Sequence, residues 1–149
     1  MIATAGDAQK AEGARRLGAD HTIDHYKQDI LAAVKELTGR RGVDVVIEHV
    51  GKATWEGSVK ALAKGGRLVT CGATTGADAL TDLRYVFSRE LTIYGSYMAG
   101  MGELLEVVKM FNKGRLKTVV DSVYPLENAD EAQKRMEESR HFGKVVLKV

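Results

Sequence analysis

Short β-branched runs return about every 20–24 residues over the first two-thirds of the chain, and a helical pattern separates each pair. The runs are Met1–Ala5, His21–Asp24, Val43–Gly51, Arg67–Gly72 and Glu90–Ser96. That alternation leaves little choice of fold. It is the rhythm of βαβ units, hence an α/β chain with a parallel sheet and right-handed crossovers. The run through Val45-Val46-Ile47 reads as a strand buried on both faces. In an open α/β sheet, ligands sit outside the carboxyl ends of the strands. Glu48, His49 and Gly51 therefore mark where chemistry is expected.

The helical patterns carry their own punctuation. Asp7 caps a helix with Ala8, Ala11, Ala14 and Leu17 on its apolar face, and Gly18 stops it. Asp29 caps a second, striped by Ile30, Val34 and Leu37. A third carries Trp55, Val59 and Leu62 and ends at Gly65-Gly66; a short fourth covers Leu83–Ser88. The rhythm then changes. Gly100-Met101-Gly102 reads as a flexible junction, which places a boundary near Ala99–Gly102. Beyond it come an amphipathic helix over Glu103–Lys113 and a strand over Thr118–Tyr124 that stops at Pro125. Asn128 and Glu131 predict a capping box for the last helix, and Lys144–Val149 a terminal strand.

Composition excludes several classes. The 149 residues match one domain in size, and 44% are apolar, enough for a core. The net charge of +2 is interspersed, with no basic block to bind nucleic acid. No apolar run approaches the roughly 20 residues that span a bilayer, and no signal pattern opens the chain. A single cysteine, Cys71, makes neither an internal disulfide nor a zinc site alone. The setting read from this is cytoplasmic and reducing. Cys71 itself reads as a small core residue in its strand.

A sheet of this kind ordinarily announces nucleotide binding by G-x-G-x-x-G between the first strand and helix. Here that position holds Ala5-Gly6-Asp7. Gly100-Met101-Gly102 supplies two glycines late in the chain, but position 105 is Leu. The first strand thus looks like the second strand of a Rossmann unit.

Four segments carry a family resemblance: IATAGDAQKAEGARRLGADHTIDH, GVDVVIEHVGKATWEGSVKALAKGGRLVTCGATTG, ELTIYGS and FGKVVL. In order and in sequence they resemble the medium-chain dehydrogenase/reductase superfamily, on its zinc-type alcohol dehydrogenase and quinone oxidoreductase branch. The resemblance implies the C-terminal half of a longer enzyme. Residues 1–99 would be a partial dinucleotide-binding domain, a Rossmann-like sheet lacking its first strand and glycine-rich loop. Residues 100–149 would be an α+β return segment of the catalytic domain. Zinc is possible in such an enzyme, but its ligands, the proton relay and the glycine fingerprint would all lie outside this chain.

The same resemblance selects cofactor-pocket residues for NADP or NAD. Thr4-Ala5-Gly6 at the end of the first strand supply no acid, and Lys10 offers a charge for a 2′-phosphate, or else is a solvated helix-face lysine. His25 stands where relatives often carry an adenosine-pocket tyrosine, or is an ordinary surface histidine. His49 would line the pocket, with Gly51 a close-approach glycine; acid–base work by Glu48 and His49 is the sharper alternative. Gly72, Ala73 and Thr74 would meet the nicotinamide ribose, and Gly95 and Ser96 its carboxamide, largely through backbone groups. Lys144 would reach the pyrophosphate, or is a solvated lysine before a strand. Trp55 reads as core or interface packing.

Leu91–Gly95 would be an edge strand paired across a homodimer. The intact enzyme would pass hydride between nicotinamide and an alcohol, an aldehyde or ketone, or a quinone, with this chain alone inactive. A non-enzymatic dimerisation or nucleotide-binding remnant is the competing reading, since the phosphate cradle is missing. A methyltransferase-like domain would need a glycine loop and an acid ending the second strand, and has neither. In such a fold the absent first strand is central. The Ile2 and Val43 strands must then meet, leave a gap or borrow a strand.

Overall fold

The computed structural model describes residues 1–149 and shows seven strands and six α-helices. They form two compact units, Met1–Met98 and Ala99–Val149.

In the first unit β1 (Ile2–Ala5), α1 (Ala8–Arg16) and β2 (His21–Asp24) form one parallel pair, Ile2 opposite His21. Then follow α2 (Ile30–Leu37), β3 (Val43–Glu48), α3 (Trp55–Ala61), β4 (Leu62–Thr70), α4 (Leu83–Ser88) and β5 (Thr92–Gly95). The last three strands make a parallel sheet in the order β3-β4-β5. The expected caps form: Asp7 accepts from the Lys10 amide at 2.7 Å and Asp29 from that of Ala32 at 2.8 Å.

The two sheets are not hydrogen-bonded to each other. Of the three outcomes open to a sheet without its central strand, the chain takes the gap. Packing rather than strand pairing holds the halves together. Ile23 of β2, Val34 of α2 and Ala61 of α3 form one buried cluster, against which Ile2 of β1 and Val43 of β3 both pack. A second cluster, Val59, Leu62 and Leu68, seats Trp55 and Val46.

Four local expectations are corrected. β3 is not buried on both faces: Val45 is 47% and Ile47 74% exposed, because no element covers that face. The third helix ends at Ala61, not at the glycines. Leu62 is already extended and opens β4, and Gly65, at φ +72°, sits inside that strand where its register against β3 shifts. Cys71 is exposed, since β4 ends at Thr70 and the sulfur lies in the following loop. Asn128 makes no side-chain cap, so the predicted box is absent.

The second unit contains α5 (Met101–Asn112), β6 (Val120–Pro125), a 3-10 turn, α6 (Ala129–Glu137) and β7 (Lys144–Lys148). β6 and β7 pair in parallel. Met101 and Gly102 belong to the first turn of α5 rather than to a free junction. The Glu103 carboxylate accepts the Gly100 amide there at 2.8 Å. Leu104, Val107, Val108 and Phe111, the apolar stripe of α5, are all more than one-third exposed. Between β6 and β7, Asp121 is the fixed point. It accepts from Arg135 Nε at 2.6 Å and from the Phe142 amide at 2.9 Å.

Candidate functional site

The site is built where β3, β4 and β5 end. β3 finishes on Glu48, whose side chain is almost fully buried. A buried carboxylate is costly unless every lone pair is met. Here the amides of Val50 and Gly51 donate to it at 2.7 and 3.1 Å, the Thr54 hydroxyl at 2.9 Å and the Ser58 hydroxyl at 2.6 Å. Burial pushes its pKa up. The Ser58, Gly51, Val50 and Thr54 bonds outweigh burial and hold it below the ordinary carboxylate range. Glu48 is therefore an ionised brace for the β3–α3 turn. With its oxygens committed inward, it has no free face for proton transfer to a substrate.

The brace fixes the turn, and the turn clasps the loop after β4. The Cys71 amide donates to the Glu48 carbonyl at 3.0 Å. The Thr75 amide and hydroxyl both donate to the Val50 carbonyl, at 2.8 and 2.7 Å. The Thr75 hydroxyl also accepts from the Ala53 amide at 3.0 Å, and the Lys52 amide reaches the Gly76 carbonyl at 3.1 Å. The Thr74 hydroxyl donates to the His49 carbonyl at 3.3 Å. Next along, the Ser96 amide closes the β5 end onto the Thr70 carbonyl at 2.9 Å.

Close approach explains both glycines. A Cβ on Gly51, at φ +89°, would stand 2.6 Å from the Gly76 oxygen and 2.8 Å from Ala73 Cα. One on Gly72 would stand 2.8 Å from the His49 oxygen. The close contact of Gly51 is thus made to the neighbouring loop. The clasp leaves His49, Gly72, Ala73, Thr74, Gly95 and Ser96 exposed along one rim. A rim of short side chains and backbone groups fits a ligand held chiefly through main-chain contacts.

Two other candidates lie at the ends of β1 and β2. Lys10, in the first turn of α1, approaches the Asp7 cap at 3.8 Å. His25 is exposed and its ring lies 4.5 Å from that of Tyr26. Both rings crowd Gly6, where a Cβ would stand 2.8 Å from Tyr26 and 3.3 Å from His25 Nε2. The structure thus joins Gly6, His25 and Tyr26, while Lys144 belongs to the second unit, exposed at the start of β7. Tyr26 escaped the sequence reading, although it directly follows His25. So did Thr75, whose two-way bridging needs the neighbouring turn to be seen. No group of three or more His, Cys, Asp or Glu side chains is placed to hold a metal ion.

Known proteins resemble this chain along nearly its whole length. A family model described as zinc-binding dehydrogenase matches residues 17–147. The crotonyl-CoA reductase of Streptomyces collinus is 32% identical over 97% of this chain and 36% of its own length. Quinone oxidoreductase 1 of Escherichia coli (strain K12) is 30% identical over 99% of this chain and 48% of its own. Among solved structures, an NAD-dependent alcohol dehydrogenase superposes with a TM-score of 0.88 at 43% identity, covering 99% of this chain and 43% of that one. The chain thus spans less than half the length of each of these three.

Proposed function

This chain belongs to the zinc-binding dehydrogenase family within the medium-chain dehydrogenase/reductase superfamily, and on that premise we propose that it is the cofactor-holding and C-terminal portion of an NAD(P)-dependent oxidoreductase. The observation that carries this reading is the clasped rim. Three parallel strands end side by side, a buried carboxylate and a bridging threonine fix their loops, and Gly72–Thr74 and Gly95–Ser96 are exposed there. Such a surface orients a dinucleotide without side-chain chemistry. Gly72–Thr74 and Gly95–Ser96 would hold the nicotinamide end, and His49 would line the wall. Lys10, His25 and Tyr26 would receive the adenosine end, Lys10 favouring a 2′-phosphate and so NADP. When bound, the cofactor supplies the hydride chemistry; the chain binds and orients it.

The substrate would be an alcohol, a carbonyl compound or a quinone, activated by groups outside residues 1–149. Zinc, if the intact enzyme uses it, would be held there too. The exposed edge β5, with Ile93 38% and Tyr94 49% exposed, would pair across a homodimer. No helix is long and apolar enough to cross a membrane, and the setting proposed is the cytoplasm.

The test is a fluorescence titration of the 149-residue protein with NADPH and NADH. Saturable binding, tighter for NADPH and weakened by Lys10→Ala, is expected, without turnover of alcohols or quinones. No binding of either dinucleotide would support the remnant reading. Turnover by the chain alone would overturn the division of labour.

A further inference from the structure

We propose that the cleft between α3 and α4 is a binding site for a small organic monocarboxylate, held by Arg89. The cleft has a volume of about 700 Å³, enough for a small molecule rather than a lone ion. Arg89 lines it from the end of α4. Its Nη1 donates to the Lys60 and Leu62 carbonyls at 3.1 and 2.8 Å, which ties it to the α3–β4 corner. Its guanidinium carbon lies 4.9 Å from the centre of the Tyr85 ring. The group is thus fixed before any ligand arrives. Its Nε and Nη2 meet no acceptor of the protein, and no carboxylate pairs with it. Those two nitrogens share one edge of the guanidinium plane, the fork that takes both oxygens of a carboxylate side by side.

The neighbouring side chains set the charge of the ligand. On the cleft wall Lys60 pairs with Glu56 at 2.5 Å and Arg84 with Asp82 at 2.8 Å. Three cations against two carboxylates leave one positive charge unmatched, that of Arg89. A monoanion matches it. A phosphate dianion would carry a second negative charge towards Glu56 and Asp82. Each pair joins residues close in sequence, and Glu56 and Arg84 are mostly exposed, so both pairs yield readily to a competing anion. Arg89 stands just before β5 and holds the corner where β4 begins. It therefore lies at the amino ends of strands whose carboxyl ends carry the rim, and its ligand is separate from any cofactor held there.

Benzoate, a planar monocarboxylate, is the probe, titrated into the isotope-labelled 149-residue protein and followed by NMR at the assigned Arg89 Nε–H signal. That signal should shift saturably, with a dissociation constant about millimolar or tighter. Inorganic phosphate should bind more weakly. Arg89→Lys keeps the charge but loses the fork, and should weaken benzoate binding at least tenfold. Glu56→Gln removes a repelling carboxylate from an exposed position and should tighten it about threefold. The wild-type shift and Glu56→Gln decide the matter even if Arg89→Lys fails to fold. Three results would overturn the proposal: no saturable shift at Arg89, tighter binding of phosphate than of benzoate, or unchanged or weaker benzoate binding in Glu56→Gln. None depends on whether the rim binds a dinucleotide.

Discussion

Glu48 and Asp121 are both acidic side chains that organise a turn, yet they do it differently. Glu48 is met by two amides and two hydroxyls, all neutral. Asp121 is met by a guanidinium, an amide and its neighbour's hydroxyl. Neutral donors leave the carboxylate charge uncancelled but rigidly solvated, which suits a turn that must keep one shape while its rim stays open. An ion pair brings attraction that a charge change can remove outright. It ties α6 and the Phe142 turn to β6. The first brace shapes a surface; the second closes a small fold.

The comparison breaks most readily at Glu48. Glu48→Ala should cost about 3 kcal/mol or more by chemical denaturation, since it strands buried donors. Dinucleotide affinity should fall with it. If stability drops while affinity holds, the brace does not shape the rim. Gly51→Val comes next, at about 2–4 kcal/mol, because its Cβ meets backbone on both sides and the residue sits at positive φ. Asp121→Asn should cost about 2 kcal/mol through the Arg135 and Phe142 bonds, without altering the rim.

Acid sharpens the difference further. Arg135 first, then the Phe142 amide, hold the Asp121 pKa well below the usual carboxylate range. A carboxylate with a lowered folded pKa stabilises fully above its unfolded pKa, near 4, and loses that contribution as pH falls through the folded value. Wild type should therefore lose stability below about pH 4, and the gap between it and Asp121→Asn should narrow over the same range. The smallest effect belongs to the surface pair Lys52–Asp78, with side chains 56% and 85% exposed. Asp78→Asn should change stability by less than about 0.5 kcal/mol.

Much of this was legible without coordinates. Asp7 and Asp29 cap their helices because the capping bond is local and needs only the right residue before an apolar stripe. The α4 helix and the β2 strand lie where periodicity placed them. Errors cluster where distant chain decides. Leu62 fits a helical stripe, yet pairing with Val43 draws it into β4. Cys71 continues an apolar run, yet its sheet has already ended. Glu48 looked like a possible acid or base, because a carboxylate at a strand end is written identically whether it faces a ligand or its own turn.

The sequence by itself determined the βαβ rhythm, the two helix caps, the family resemblance and the segments that reach the carboxyl ends of the strands. These depend on residue type and spacing within a few turns of chain. Only the tertiary structure decided that the sheet opens a gap between β1 and β3, that Glu48 turns inward, and that Thr75 locks two loops into one rim. Each of those joins residues far apart in sequence, and only folding brings their hydrogen-bonding groups within reach.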